Sequence, residues 1–183
     1  MPAETATFAG GCFWCTDAIF RKLKGVEKVT VGYAGGEKGS PTYEEVSTGS
    51  TGHLEAVQIE FDPEVVSFEE LLDVFWTTHD PTQTGGQGPD VGPQYQAAVF
   101  YHSDEQKSNA EKSKRSLEES GQYKEPIMTQ ILPFKTFFPA EEYHQDYFAK
   151  NPHAPYCQVV IKPKVEKVEN LFPSKLIENR NSE

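Results

Sequence analysis

Apolar positions in this chain switch between a period of two and a period near 3.6, and each switch marks a change of element. Residues 6–9 form a short apolar run that stops at Gly10 and Gly11, which predicts a strand entering a sharp turn. From residue 13 to residue 24 the spacing of Ile19, Phe20 and Leu23 is helical, and Gly25 follows as the residue that closes the helix. Residues 26–33 read as a second strand, ending before Gly35 and Gly36. Over residues 54–61, Glu55, Val57, Ile59 and Phe61 alternate with Leu54, Ala56, Gln58 and Glu60, so Glu55 stands on the more apolar face of a strand. Ser67 with Glu70 is a capping-box signature, and Phe68, Leu71, Leu72, Phe75 and Trp76 then line one helical face.

Two regions lack periodicity. Residues 37–53 turn to Gly, Ser, Thr and Pro around a short segment at 43–46. Residues 79–93 are rich in Gly, Pro, Gln and Asp, and connections longer than the usual ~4 to 6 residues are often functional in compact domains. Beyond them the pattern predicts a strand over 95–101, a polar helix opened by Ser103, a strand over 127–132, a helix over 140–150 and an apolar strand over 156–161. Residues 163–183 read as a charged tail. Strands and helices alternate too irregularly for a doubly wound parallel sheet, so the expected architecture is α+β, a mixed sheet with helices packed on it.

Composition narrows the picture. A chain of 183 residues fits one catalytic domain, with its core expected over about 5–162. Hydrophobic residues at 37% and aromatics at 12% are too abundant for a disordered protein. A formal charge of −11 repels a phosphate backbone, which argues against nucleic acid as a partner. No apolar run approaches the length of a membrane span and no leader pattern opens the chain, so a soluble, cytoplasmic monomer is expected. Three cysteines are too few for a secreted disulfide framework and suit reduced, reactive thiols.

The chemistry gathers at Gly10-Gly11-Cys12-Phe13-Trp14-Cys15. A thiolate is the reactive form of cysteine, and the free N–H groups and partial positive charge of a helix start favour it. Cys12 is expected at such a start, with Phe13 and Trp14 as an apolar wall beside it. Cys15 follows one helical turn later, close enough to trap a sulfenic acid on Cys12 as a disulfide. Zinc would need four ligands, and Cys157 with scattered histidines supplies no second paired motif, so no metal and no bound cofactor are expected.

Taken together, Gly11-Cys12-Phe13-Trp14, Gly32-Tyr33-Ala34-Gly35-Gly36, Pro41-Thr42-Tyr43, Gly52-His53 with Glu55, Gln87-Gly88 with Asp90, Gly92 and Gln94-Tyr95, and Tyr143-His144-Gln145 resemble the A-type peptide methionine sulfoxide reductases. The resemblance spans about residues 5–162 and implies a two-layer core of ferredoxin-like type. It also implies thiol-dependent reduction of the S epimer of methionine sulfoxide, free or in proteins, with thioredoxin as the electron donor. On the matched positions, Cys12 is the nucleophile, Glu55 the proton donor, and the Tyr43 and Tyr95 hydroxyls hold the sulfoxide oxygen. Phe13 and Trp14 form the pocket for the substrate methyl group, and Asp90 positions substrate or catalytic groups.

For Glu55 to act as an acid near neutral pH, burial must raise its pKa. Asp90 also fits a simple Gly-Pro-Asp turn, and His144 and His53 fit structural roles. The sequence departs from the commoner family pattern in carrying Cys15 where glycine is usual and an apolar run after Cys157 instead of a Gly-rich tail. Both Cys15 and Cys157 are therefore candidate resolving thiols, with Cys15 favoured because a strand would restrain Cys157. A thioredoxin-like oxidoreductase would also use a CxxC pair, but its Trp-Cys-Gly-Pro-Cys is absent. A zinc-stabilised interaction module is the non-enzymatic rival.

Overall fold

A computed structural model describes residues 2–178. In chain order the first half supplies β1 (Glu4–Ala9), α1 (Phe13–Phe20), β2 (Val26–Ala34), a short α2 (Tyr43–Ser47), β3 (Leu54–Phe61) and α3 (Phe68–Thr77). The second half supplies a tight hairpin of β4 (Gly86–Gln87) and β5 (Asp90–Val91), then β6 (Ala98–Tyr101), α4 (Asp104–Glu119), β7 (Gln130–Pro133), β8 (Phe137–Pro139), a one-turn α5 (Tyr147–Lys150) and α6 (Lys162–Leu171).

The main sheet has six strands in the order β7-β6-β1-β3-β2-β8. Its four central strands, with α1 and α3 as crossovers, make the β-α-β-β-α-β pattern of a ferredoxin-like core. The ladders β1–β3, β1–β6, β2–β3 and β2–β8 are antiparallel and β6–β7 is parallel, so the sheet is mixed and the fold α+β. Phe8 ties the layers together, its ring 5.4 Å from Phe20, 5.9 Å from Phe68 and 4.9 Å from Phe75. A second cluster of Ala9, Ala34, Leu54, Ala56, Ala98 and Phe100 lies apart from this core, packed by Leu132, Phe134 and Phe137. That explains why Leu54 and Ala56 are buried along with their alternating neighbours. The Ser67–Glu70 capping box forms as expected, each side chain bonded to the other's backbone N–H.

Three predicted elements differ. α1 stops at Phe20 because the next residues pair with the chain's far end: Lys24 N–H donates to Lys175 O at 2.8 Å, Ile177 N–H to Lys22 O at 2.8 Å, and Leu23 bridges Leu176. Gly25, with φ +86°, serves the turn into β2 instead of closing the helix. The predicted 140–150 helix is broken into a 3-10 turn (Glu142–His144) and α5 by Asp146 at φ 52°. Gln145 leaves the helical path to clamp β2, accepting from Val31 N–H at 2.9 Å and donating to Val31 O at 3.0 Å.

The predicted strand over 156–161 is helical: Cys157–Ile161 forms a π turn that runs into α6. Cys157, Ile161, Val165 and Val168 are all buried, and their spacing suits one face of a helix. The β-branched Val159-Val160-Ile161 run masks that period. Pro163, which lacks an N–H, sits at the start of α6, where its missing donor costs least. The expected charged tail is therefore, through Glu178, a helix and a short segment docked on α1 and its following turn, while residues 179–183 lie outside the described residues.

Candidate active site

Cys12 is the N-cap of α1, reached through Gly11 at φ +89°. Glycine is required there twice over: the backbone is left-handed, and a Cβ would come within 2.8 Å of the Gln87 side chain. Gln87 is itself fixed, accepting from Asp80 N–H at 2.7 Å and donating to Asp80 O at 2.9 Å. The aperiodic 79–93 stretch thus braces the turn that presents the thiol, and Cys12 is 7% exposed.

Glu55 projects from β3 to the same point. Its carboxyl, 2% exposed, accepts from Phe13 N–H at 3.1 Å. Burial, only partly offset by that hydrogen bond, raises its pKa to about 8, with the charges of Asp90 and Cys15 adding to the rise. The expected thiolate at Cys12 is not found. Burial, a hydrogen bond with Cys15, and the negative charges of Cys15 and Glu55 hold the Cys12 thiol well above the usual thiol range. The helix start does not offset these effects, since Phe13 N–H goes to Glu55 and the Cys12 side chain makes no capping bond.

Cys15, fully buried, is pushed the other way, chiefly by its hydrogen bond with Cys12. Its Sγ lies 3.9 Å from the Tyr156 hydroxyl. Cys157 is buried on the helix that follows, its thiol pushed up by burial and by the charge of Cys15. All three cysteines are reduced.

Tyr43 opens α2, whose N-cap Thr42 forms a capping box with Glu45. Glu141 anchors it, accepting from Tyr43 N–H at 3.4 Å and from the Tyr33 hydroxyl at 3.2 Å. Tyr95 ends the 3-10 turn Pro93–Tyr95. Burial, with the nearby charges of Glu55 and Cys12, pushes both phenols upward, so Tyr43 and Tyr95 remain neutral donors.

Phe13 is buried, 5.7 Å from the Tyr33 ring and 5.1 Å from the His144 ring. Trp14 is stacked on Tyr147 at 3.8 Å and donates its indole N–H to His144 Nδ1 at 3.1 Å. That acceptor places the proton of a neutral His144 on Nε2, and burial lowers its pKa to favour the neutral form. Asp90 accepts from the Tyr156 hydroxyl at 2.6 Å and is near enough to Glu55 to raise its pKa.

The fold therefore gathers Cys12, Cys15, Glu55, Tyr43, Tyr95, Asp90, Phe13 and Trp14 into one region, with Cys157 beneath Cys15. Sequence reasoning misses two members: Tyr147 covers the Trp14 indole face and Tyr156 links Cys15 to Asp90, while His144 holds the structural role expected of it by orienting Trp14. Their signal was present in the aromatic runs around residues 143–147 and 156, but nothing local says which ring they meet. His53 does brace a loop, accepting from Gly36 N–H at 3.1 Å.

Comparison with known proteins identifies the family. Residues 4–176 match the family model described as peptide methionine sulfoxide reductase. Peptide methionine sulfoxide reductase MsrA of Thermus thermophilus is 58% identical over 176 residues, covering 96% of this chain and 99% of that one. Reduced Mxr1 from Saccharomyces cerevisiae superposes with a TM-score of 0.79 at 38% identity, over 85% of this chain and 90% of that one. Mxr1 in complex with Trx2 matches with a TM-score of 0.56 at 30% identity, over 80% of this chain and 85% of that one. By sequence over nearly its whole length and by fold, this chain belongs to the peptide methionine sulfoxide reductase family.

Proposed function

We propose that this methionine sulfoxide reductase acts through Cys12 as nucleophile and Glu55 as acid, on the S epimer, as a single catalytic domain. The observation that carries the assignment is Glu55, a carboxyl buried to 2% exposure beside the thiol with no cation paired to it. A sulfoxide becomes electrophilic when its oxygen is hydrogen-bonded or protonated. The Tyr43 and Tyr95 hydroxyls and protonated Glu55 supply donors for that oxygen, while Phe13 and Trp14 receive the methyl group.

As Glu55 gives its proton to the oxygen, its carboxylate becomes the base that takes the Cys12 proton, because two adjacent anions in this buried site are costly. Oxygen passes from the substrate sulfur to Cys12. The methionine sulfur gains two electrons, Cys12 becomes a sulfenic acid, and Glu55 ends protonated, so protons balance. Cys15 then closes a disulfide with Cys12 and releases water. Cys157, beside Cys15, takes the disulfide onward toward thioredoxin, the proposed reductant. Among the described residues no helix is long and apolar enough to cross a membrane.

The test is reduction of separated R and S sulfoxides of an N-blocked methionine with thioredoxin or dithiothreitol. Cys12→Ser is expected to be inactive on both, and the parent to reduce the S form alone. Activity surviving in Cys12→Ser would remove the nucleophile from this scheme.

A further inference from the structure

We infer that Tyr156 relays the proton of Cys15 to Asp90 in the step that closes the Cys12–Cys15 disulfide. The inference rests on Cys15 being the resolving thiol.

The geometry is a three-member chain. The Tyr156 hydroxyl has one proton, and it donates that proton to Asp90 Oδ2 at 2.6 Å. With its proton so committed, its oxygen faces the Cys15 sulfur, 3.9 Å away, as an acceptor. Cys15 S–H, Tyr156 O–H and Asp90 carboxylate thus run in series from a fully buried thiol to a half-buried acid at the end of the hairpin. Water reaches Asp90 but not Cys15. A buried thiol that must lose its proton within one turnover needs such an exit.

The scaffold fixes the relay in place. Tyr156 sits edge-on to Trp14, ring centroids 5.8 Å apart, and the π turn of Cys157–Ile161 begins at the next residue. Widened turns of this kind are frequent at functional sites. Burial and the nearby thiols push the Tyr156 phenol strongly upward, so it moves a proton through without resting as an anion.

The step balances. The Cys15 sulfur forms a bond to the Cys12 sulfur as the Cys12 S–O bond breaks; Cys15 is oxidised and the Cys12 sulfur reduced, each by one electron. The Cys15 proton goes to the Tyr156 oxygen while the Tyr156 proton goes to Asp90. The departing hydroxide takes a proton from Glu55 and leaves as water. Asp90 returns its proton to solvent, from which Glu55 is refilled. Afterwards the Tyr156 hydroxyl turns back to donate to Asp90, as it does in the reduced protein. The ionisable groups around Cys15 are Cys12, Glu55, Asp90, Tyr156, Cys157 and, from α6, Lys164.

The experiment is a single turnover of the full chain, without external reductant, on an S-sulfoxide substrate. Methionine release reports the first step. Acid quench with alkylation and peptide mapping reports the disulfide, and dimedone reports sulfenic acid. In Tyr156→Phe, which keeps the ring against Trp14, disulfide formation is expected to slow at least about tenfold more than methionine release. Dimedone-labelled Cys12 should accumulate. The deficit should narrow as pH rises from about 6 to about 9, where a growing share of cysteine is already thiolate before the step begins; a packing defect would show no such trend. Asp90→Asn, which keeps an acceptor but removes the base, should slow the same step.

Parent-like disulfide formation in Tyr156→Phe, or a deficit independent of pH, overturns the relay and leaves Cys15 as resolver. Mapping that finds Cys12 joined first to Cys157 in the parent overturns the Cys15 assignment, and the relay with it.

Discussion

Glu55 and Asp17 are both buried carboxylates close to α1, exposed by 2% and 1%, and each accepts a backbone N–H, from Phe13 at 3.1 Å and from Asp146 at 3.0 Å. Asp17 has in addition the Arg21 guanidinium at 2.6 Å, and its pKa rises to about 6; Glu55 has no cation and rises to about 8. The chief difference is the cation: burial and the nearby acidic groups raise the Glu55 pKa unopposed by a cation, whereas Arg21 holds Asp17 lower in a clamp joining α1 to the Asp146 turn that carries Tyr147 against Trp14. Two buried carboxyls beside the same helix thus differ in how readily they keep a proton.

The comparison breaks most directly at Glu55. Glu55→Gln keeps the acceptor for Phe13 N–H and removes the transferable proton, so kcat/KM should fall by about 10²-fold or more in a steady-state assay. A variant that retained parental turnover would take Glu55 out of the acid role. In the parent, kcat/KM should decline about tenfold per pH unit above about 8, as the Glu55 proton is lost.

The same variant has an opposite signature in stability. A carboxyl whose folded pKa lies above its unfolded value binds its proton more tightly when folded, so its contribution to stability is fully present below about 4.5 and is lost as pH rises to about 8. The melting temperature of Glu55→Gln relative to the parent should therefore climb across that window and level off above it. A difference independent of pH would mean that Glu55 is not held protonated.

Trp14 offers a smaller test, since His144 and Tyr147 only orient the pocket wall. His144→Ala should raise KM by about three- to tenfold with less change in kcat, because a looser wall weakens binding of the substrate throughout the reaction. The smallest effect on turnover belongs to Asp17. Asp17→Asn should lower stability by about 1–2 kcal/mol in urea unfolding, given that Arg21 is partly exposed and part of the interaction is screened. Its kcat/KM should stay within about threefold of the parent. A loss comparable to Glu55→Gln would erase the distinction between clamp and acid.

Much of the scaffold could be read in advance. β1, β2, β3 and α3 each carry one clean period over several residues, and the Ser67–Glu70 cap needs no distant partner. Elements were misread where a long-range contact overruled local preference: α1 stops where Lys22 and Lys24 pair with the C-terminal segment, and the 140–150 helix breaks where Gln145 clamps Val31. The C-terminal helix was hidden because β-branched residues suit strands, while its buried face faces α1, which sequence does not show.

By itself the sequence determined the helix-start position of Cys12, the apolar face on which Glu55 lies and the family signature, since these depend on residue type and short-range spacing. Tertiary structure alone decided the protonation states. Burial and the neighbouring Cys15 hold the Cys12 thiol pKa up, and burial, with no cation paired to it among the described residues, raises that of Glu55. It also decided that Tyr156 stands between Cys15 and Asp90. A pKa or a proton path depends on what surrounds a group in three dimensions, and apart from the Cys12–Cys15 pair the hydrogen-bonded neighbours here lie between 42 and 141 residues away along the chain.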